Sequence, residues 1–210
     1  STLTIRGANL AQAPQIVFSG IPLASQTVTS ASGNQVVVEI TPDAAATPGI
    51  YAFRLATEDG ISAPLLVGVD GLPPANFAPQ INSLPAALSG ALGGSTILKT
   101  DFTAAKGQRI VVDVESQRLG AKLNPVVRVV DERGTQIAWS PGRTQIHGDA
   151  RCEFVIPADG RYTIKLHDAL YRGAGPGHFR LKVGDLHHAD FALPLGVPRG
   201  EKTKVTLIGA

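Results

Sequence analysis

The residues of this chain that could do chemistry are few, and most stand at predicted turns or strand ends. Four carboxylates occupy such positions, at Asp131, Asp149, Asp159 and Asp168. Carboxylate oxygens can converge on calcium, which takes about six to eight oxygen ligands. Aspartate also stabilises turns by accepting hydrogen bonds from nearby backbone. We favour the turn role, and keep Asp131, Asp149 and Asp168 as calcium candidates.

Motifs for zinc binding or nucleophilic catalysis are missing from the sequence. The five histidines include no His-x-x-x-His pair, and the adjacent His187 and His188 would point to opposite faces of a strand. Cys152 lies in the alternating run 150–156, which predicts a buried, unreactive thiol in the core. With no Gly-x-Ser-x-Gly motif either, we predict no catalytic residue and no obligate cofactor.

A third group of residues is suited to recognition rather than reaction. Trp139, Tyr171 and Arg172 combine aromatic rings with a guanidinium group. Arginine and aromatic side chains are frequent in binding hot spots, although packing on a sheet face is the more common use of such residues. We therefore treat these three residues as a candidate recognition patch, with simple packing as the alternative.

Short strands bounded by turn-forming residues must position these side chains. The chain has 210 residues, of which 23 are glycine and 15 are proline, a frequency that favours many short strands over a helical bundle. Alternating runs predict strands before residue 70 and again from residue 97. The later predicted strands are 97–103, 109–115, 126–131, 136–139, 151–156, 161–168 and 178–184. The predicted fold class is all-β, with two β-sandwich domains.

Charge and composition limit the partners of the chain. Residues 1–83 carry two basic and five acidic side chains, whereas residues 84–210 carry seventeen basic and twelve acidic ones. The net charge of +2 argues against a nucleic-acid binder. No apolar stretch approaches about eighteen residues, so no membrane span is predicted.

The ends and the middle of the chain give further expectations. Prolines between residues 71 and 84 predict a semi-rigid linker, and residues 84–94 are consistent with either a short helical turn or a loop. The single cysteine excludes an intrachain disulfide, which fits a cytosolic chain or an exported bacterial one. Because no methionine occurs, even at position 1, we expect a processed chain or a piece of a longer protein, and a removed signal peptide stays open.

Residues 1–70 resemble an immunoglobulin-like IPT/TIG domain. The segments that carry the resemblance are Leu3-Thr4-Ile5-Arg6-Gly7-Ala8-Asn9-Leu10, Ile16-Val17-Phe18, Thr47-Pro48-Gly49-Ile50-Tyr51 and Gly60-Ile61-Ser62-Ala63-Pro64. The resemblance implies an Ig-like sandwich for residues 1–70 that lacks its first strand.

Residues 85–186 look like a bacterial pre-peptidase C-terminal domain. The motifs are Phe102-Thr103-Ala104-Ala105-Lys106-Gly107-Gln108, Leu123-Asn124-Pro125-Val126-Val127-Arg128-Val129-Val130-Asp131, Gly148-Asp149-Ala150-Arg151 and Pro157-Ala158-Asp159-Gly160-Arg161-Tyr162-Thr163-Ile164. The resemblance implies a β-sandwich or jelly roll appended to secreted bacterial proteins, often enzymes, for adhesion, substrate binding or maturation. Some members bind calcium near the start of the domain. Here Pro73-Pro74-Ala75-Asn76 replaces the expected acidic cluster, so no calcium ion is predicted there.

Residues 187–210 resemble the start of another IPT/TIG-like domain. Thr206-Leu207-Ile208-Gly209-Ala210 repeats Thr4-Ile5-Arg6-Gly7-Ala8 with threonine, glycine and alanine identical. An apolar strand must bury one face, and an open sheet edge is a pairing site. We therefore predict that residues 187–210 pair with residues 1–10, within the chain or by strand exchange with another copy.

These patterns together predict a non-catalytic module of a larger secreted, periplasmic or cell-surface bacterial protein. The expected task is adhesion, spacing or the binding of a polysaccharide or protein. The alternative is a substrate-binding accessory domain of an exported hydrolase.

Overall fold

The computed structural model describes residues 1–11, 13–173 and 175–209 and is all-β, which confirms the predicted fold class. Two compact units divide the chain, Ser1–Gly71 and Leu72–Ala210. Among the described residues, no helix is long and apolar enough to cross a bilayer.

The first unit contains two small antiparallel sheets. Its strands are β1 (Thr2–Arg6), β2 (Gln15–Ser19), β3 (Leu23–Ser32), β4 (Gln35–Pro42), β5 (Gly49–Thr57), β6 (Gly60–Ile61) and β7 (Leu65–Val69). One sheet has the order β1-β4-β3; in the other, β5 pairs with β2, β6 and β7. Alternation along β4 buries Val36, Val38 and Ile40, which share a core with Phe53 and Leu55 of β5.

The second unit is a larger sandwich. Its strands are β8 (Pro74–Asn76), β9 (Ala86–Ala91), β10 (Leu98–Ala104), β11 (Arg109–Glu115), β12 (Pro125–Val130), β13 (Gln136–Ser140), β14 (Arg151–Val155), β15 (Gly160–Asp168), β16 (His178–Gly184), β17 (Ala189–Leu193) and β18 (Thr206–Gly209). Short 3-10 turns occur at Gln117–Leu119 and Thr144–Ile146. The four-stranded sheet has the order β10-β15-β12-β13, and the five-stranded sheet β14-β11-β16-β9-β8.

The core of the second unit confirms the predicted burial of Cys152, while its low reactivity stays a prediction. This thiol is free and buried, on β14 opposite Val112 of β11. Its neighbours on the same face, Ala150 and Ile156, are buried as well. Burial disfavours the thiolate and raises the pKa of Cys152 to about 12. Arg151, which points to the opposite face, is also buried.

The expected linker at residues 71–84 differs from the structure. Pro74–Asn76 forms β8, which runs parallel to β9, and Ile81 is buried in the core of the second unit. Residues 84–94, for which a helical turn or a loop was expected, contain β9 instead. Gly90 of this strand must lack a side chain, because a Cβ there would lie only 2.8 Å from the Phe179 ring.

The last two strands form a hairpin of their own. β17 pairs with β18, and the partner of β1 is β4. The predicted intrachain pairing of residues 187–210 with residues 1–10 is therefore not formed among the described residues, and Ala210, the last residue of the repeat, lies outside them. Strand exchange between copies stays a prediction.

Candidate ligand-binding face

The outer face of the four-stranded sheet carries the exposed tryptophan. On β12, Val127 and Val129 enter the core, so Arg128 between them points outward. The same alternation on β13 sends Ala138 inward and leaves Trp139 outside, 51% exposed. A half-exposed indole on a regular strand contributes little to the core.

Strand register brings four side chains into one line across this face. Lys99 lies opposite Lys165, and Lys165 lies opposite Arg128. Arg128 in turn lies opposite Trp139. Neighbouring strands are about 4.8 Å apart, so the line extends over about 14 Å. We call these four residues the cross-strand row.

The cations of the cross-strand row have no acidic partner. Over residues 1–11, 13–173 and 175–209, no carboxylate lies within 4 Å of Lys99, Lys165 or Arg128. The neighbouring acid on the same face, Asp101, accepts a 2.6 Å hydrogen bond from the Thr163 hydroxyl. The row therefore holds three cations that form no ion pair among the described residues, with Asp101 as the neighbouring carboxylate on that face.

Tyr171 and His167 add a second aromatic element to the same face. Their rings stack with centroids 4.6 Å apart and an interplanar angle of 5°. His167 is opposite Val126, one outward position along from the cross-strand row. Of the predicted recognition patch, Trp139 on β13 and Tyr171 in the loop after β15 thus lie on one sheet face, with β12 between β13 and β15. Arg172 is exposed in the loop that follows.

Asp168 holds the loop that presents Tyr171. Its carboxylate accepts hydrogen bonds from the backbone N–H groups of Asn124, Leu170 and Arg172. Burial opposes ionisation of Asp168, but these N–H groups outweigh it and lower its pKa. The bonds fix a turn in which Tyr171 adopts a φ of 54°, a region that side chains rarely occupy.

The other calcium candidates also have backbone partners. Asp149 is fully buried and accepts the N–H groups of Ser116, Gln117 and Arg118. Asp131 accepts those of Arg133 and Thr135 in the turn after β12.

The structure does not bring the calcium candidates into one site. Asp168 lies opposite Pro125 at one end of β12, and Asp131 follows the other end. The strand between them separates the two carboxylates by about 20 Å. Within the described part of the chain, no three His, Cys, Asp or Glu side chains are arranged to hold a metal ion.

The outer face of the five-stranded sheet carries a charge cluster that sequence reasoning missed. Asp113 is buried there and lies 2.7 Å from Arg118, 3.1 Å from Arg151 and 3.5 Å from Lys182. Burial disfavours the ionised carboxyl, but the three cations outweigh this effect and lower the pKa of Asp113. Arg151 is buried because it also reaches Asp190, at 2.8 Å. Cations on this sheet are matched by acids, unlike those of the cross-strand row.

A cavity beside the charge cluster has a similar balance. It measures about 280 Å³ and is lined by Arg143, Arg151, Glu153, His188 and Asp190, together with Ile208 and Gly209. Its two arginines both lie against Asp190. The acidic side chains that line this cavity therefore balance its arginines, so the cavity offers no net charge to a ligand.

Comparisons with known proteins add a likeness of fold. No family model matches the chain, and no curated protein sequence matches it. Among solved structures, it resembles the pre-peptidase C-terminal domain of collagenase from Bacillus anthracis, with 14% identity, a TM-score of 0.40, and coverage of 55% of this chain and 98% of that one. It also resembles PliG of Aeromonas hydrophila, a periplasmic inhibitor of g-type lysozyme, with 21% identity, a TM-score of 0.38, and coverage of 53% and 92%.

A third likeness is to carbohydrate-binding modules of the β-sandwich superfamily, with 11% identity, a TM-score of 0.27, and coverage of 87% of this chain and 96% of that one. At these identities and scores, none of the three likenesses assigns a ligand or an activity to this chain. The chain is a two-unit β-sandwich protein with a candidate binding face on its second unit.

Proposed function

We propose that this chain is a non-catalytic binding module of a larger secreted bacterial protein, and that its second unit binds a polysaccharide at the cell surface. The observation that carries the proposal is Trp139, half exposed on a regular sheet face with the Arg128 guanidinium directly opposite. An indole ring offers a large rigid surface for the apolar face of a sugar, and a guanidinium offers hydrogen-bond donors.

The proposal gives the two units different roles. Residues 1–70 act as an IPT/TIG-like spacer, and residues 85–186 act as a pre-peptidase-like domain that makes the contact. The exposure of Trp139 and Tyr171 on one sheet face supports the adhesive role. A protein ligand would use the same face, because aromatic and arginine side chains also dominate protein interfaces.

The second candidate function is a substrate-binding accessory domain of an exported hydrolase. The same face would then hold the substrate of a catalytic domain elsewhere in the parent protein. A catalytic domain beside this segment in the full-length gene product would favour that function over adhesion or spacing.

A glycan array with purified protein tests the proposal. We expect retention of at least one polysaccharide without turnover, and a loss of about tenfold or more in affinity for Trp139→Ala, because such aromatic anchors dominate binding energies. The matched control is Val155→Ala, an exposed apolar residue on β14 of the other sheet. Equal binding by wild type and Trp139→Ala would contradict the proposed face.

A further inference from the structure

We propose that the ligand of the cross-strand row is an extended, negatively charged polysaccharide that lies across the strands. This inference rests on the proposed function and names its ligand class. Its basis is the direct opposition of Lys99, Lys165 and Arg128 on three adjacent strands. Like charges directly opposite one another destabilise a sheet. Folding alone therefore gives no reason for this arrangement, whereas an anionic ligand would relieve the repulsion.

The opposite sheet shows how this protein treats cations that serve stability. There, Lys182 lies within ion-pair distance of both Asp113 and Glu115, and Arg118 contacts Asp113 and Asp149. In the cross-strand row, the same kinds of side chain have no such partner among the described residues. Their charge is left for a ligand from outside the chain.

The geometry of the row suits a linear polymer with one charge per unit. Each of β10, β15 and β12 contributes one cation, at intervals of about 4.8 Å, and β13 ends the row with Trp139. Lysine is a compact charge on a flexible stem, and arginine can hold a carboxylate or sulfate through two parallel hydrogen bonds. A sugar ring with its charge bound by Arg128 would lie next to the indole.

A single-stranded nucleic acid fits this row less well. Proteins that hold single strands stack successive bases on a series of aromatic side chains. The row has one aromatic residue at one end and cations at its other three positions. An acidic polysaccharide carries a negative charge on each sugar and can be held by a single aromatic stacking surface. The row supplies three cations in succession and one aromatic ring.

Isothermal titration calorimetry with two forms of one polymer tests the inference. The probes are polygalacturonate, which carries a carboxylate on each sugar, and its fully methyl-esterified form, which is neutral. The test variant is Lys99→Gln/Arg128→Gln/Lys165→Gln. The matched control is Lys106→Gln/Lys122→Gln/Arg133→Gln, which removes the same number of lysines and arginines at exposed positions of the same unit.

We expect wild type and control to bind polygalacturonate with similar affinity, and the test variant to bind about tenfold more weakly, since each exposed ion pair is worth about twofold. Added salt should weaken the binding by wild type more than that by the test variant. Equal affinity for the neutral polymer would overturn the anionic ligand and leave the proposed function standing. Equally weakened binding by the control variant would show that the cross-strand row is not the binding site. Displacement of the polymer by an equimolar oligodeoxynucleotide would favour a nucleic acid as the ligand. Binding of neither polymer, nor of any glycan on the array, would remove both proposals.

Discussion

Replacement of Asp149 by alanine should strongly destabilise the second unit. The carboxylate is fully buried, accepts three backbone N–H groups and pairs with Arg118 at 2.8 Å. Alanine would leave these donors without an acceptor and remove one of the two carboxylates around the Arg118 guanidinium. Breaking a buried charge pair from one side costs about 3–5 kcal/mol. For a unit of this size, that loss corresponds to a fall in Tm of about 10–17 °C.

Urea unfolding measures this loss. Far-UV circular dichroism follows both units, and the appearance of reactive Cys152 thiol reports the second unit alone. The control is Asp131→Ala, which removes a less buried turn carboxylate with two N–H partners and should cost about 1 kcal/mol. A loss below about 1 kcal/mol for Asp149→Ala, or a wild-type stability that rises with added calcium, would refute a purely structural role for Asp149.

Further predictions concern protonation, reactivity, charge and assembly. The carboxyls of Asp113 and Asp168 have lowered pKa values in the folded state, so their stabilisation is complete above the ordinary carboxyl pKa of about 4 and is lost as the pH falls through the lowered values. Asp168→Asn should therefore make the free energy of unfolding less dependent on pH in the acid range. An unchanged pH dependence would count against the lowered pKa of Asp168. Native Cys152 should react with thiol reagents only as fast as the unit opens, and rapid labelling at neutral pH would contradict its burial. Iodide should quench the fluorescence of Trp139 more than caesium does, because the positively charged side chains of the cross-strand row attract the anion and repel the caesium ion. Equal quenching would argue against a positively charged face. Strand exchange through residues 187–210 predicts dimers in sedimentation at high concentration that vanish when this segment is deleted; monomers throughout would end that prediction.

The strands of the sandwich were predictable because alternation is a local signal. Residues 109–115 and 178–184 match the bounds of β11 and β16, since each buries every second side chain against the core. β9 was not predictable, because its run of small residues lacks alternation. The glycine at position 90 is explained by the side chains of Phe77 and Phe179, which leave no room for a Cβ there.

The candidate site was only partly accessible from the sequence. Trp139 and Tyr171 were candidate recognition residues because of their residue types alone. The alignment of Trp139 with Lys99 and Lys165 depends on a sheet order, β10-β15-β12-β13, in which strands distant in sequence become neighbours. Asp113 was missed for a related reason, because a charged residue in an alternating strand indicates an exposed face until its cationic partners are known.

The most direct test of the binding face is the indole N–H resonance of Trp139 during a titration with polygalacturonate. The chain has one tryptophan, so its indole signal in a nitrogen-15 spectrum needs no assignment. If the polymer binds the cross-strand row, this signal shifts with ligand concentration, together with the amide signals of β12 and β15, while those of β14 stay unchanged. A saturable shift confined to β11, β14 and β16, with the indole signal unmoved, would contradict binding at this row.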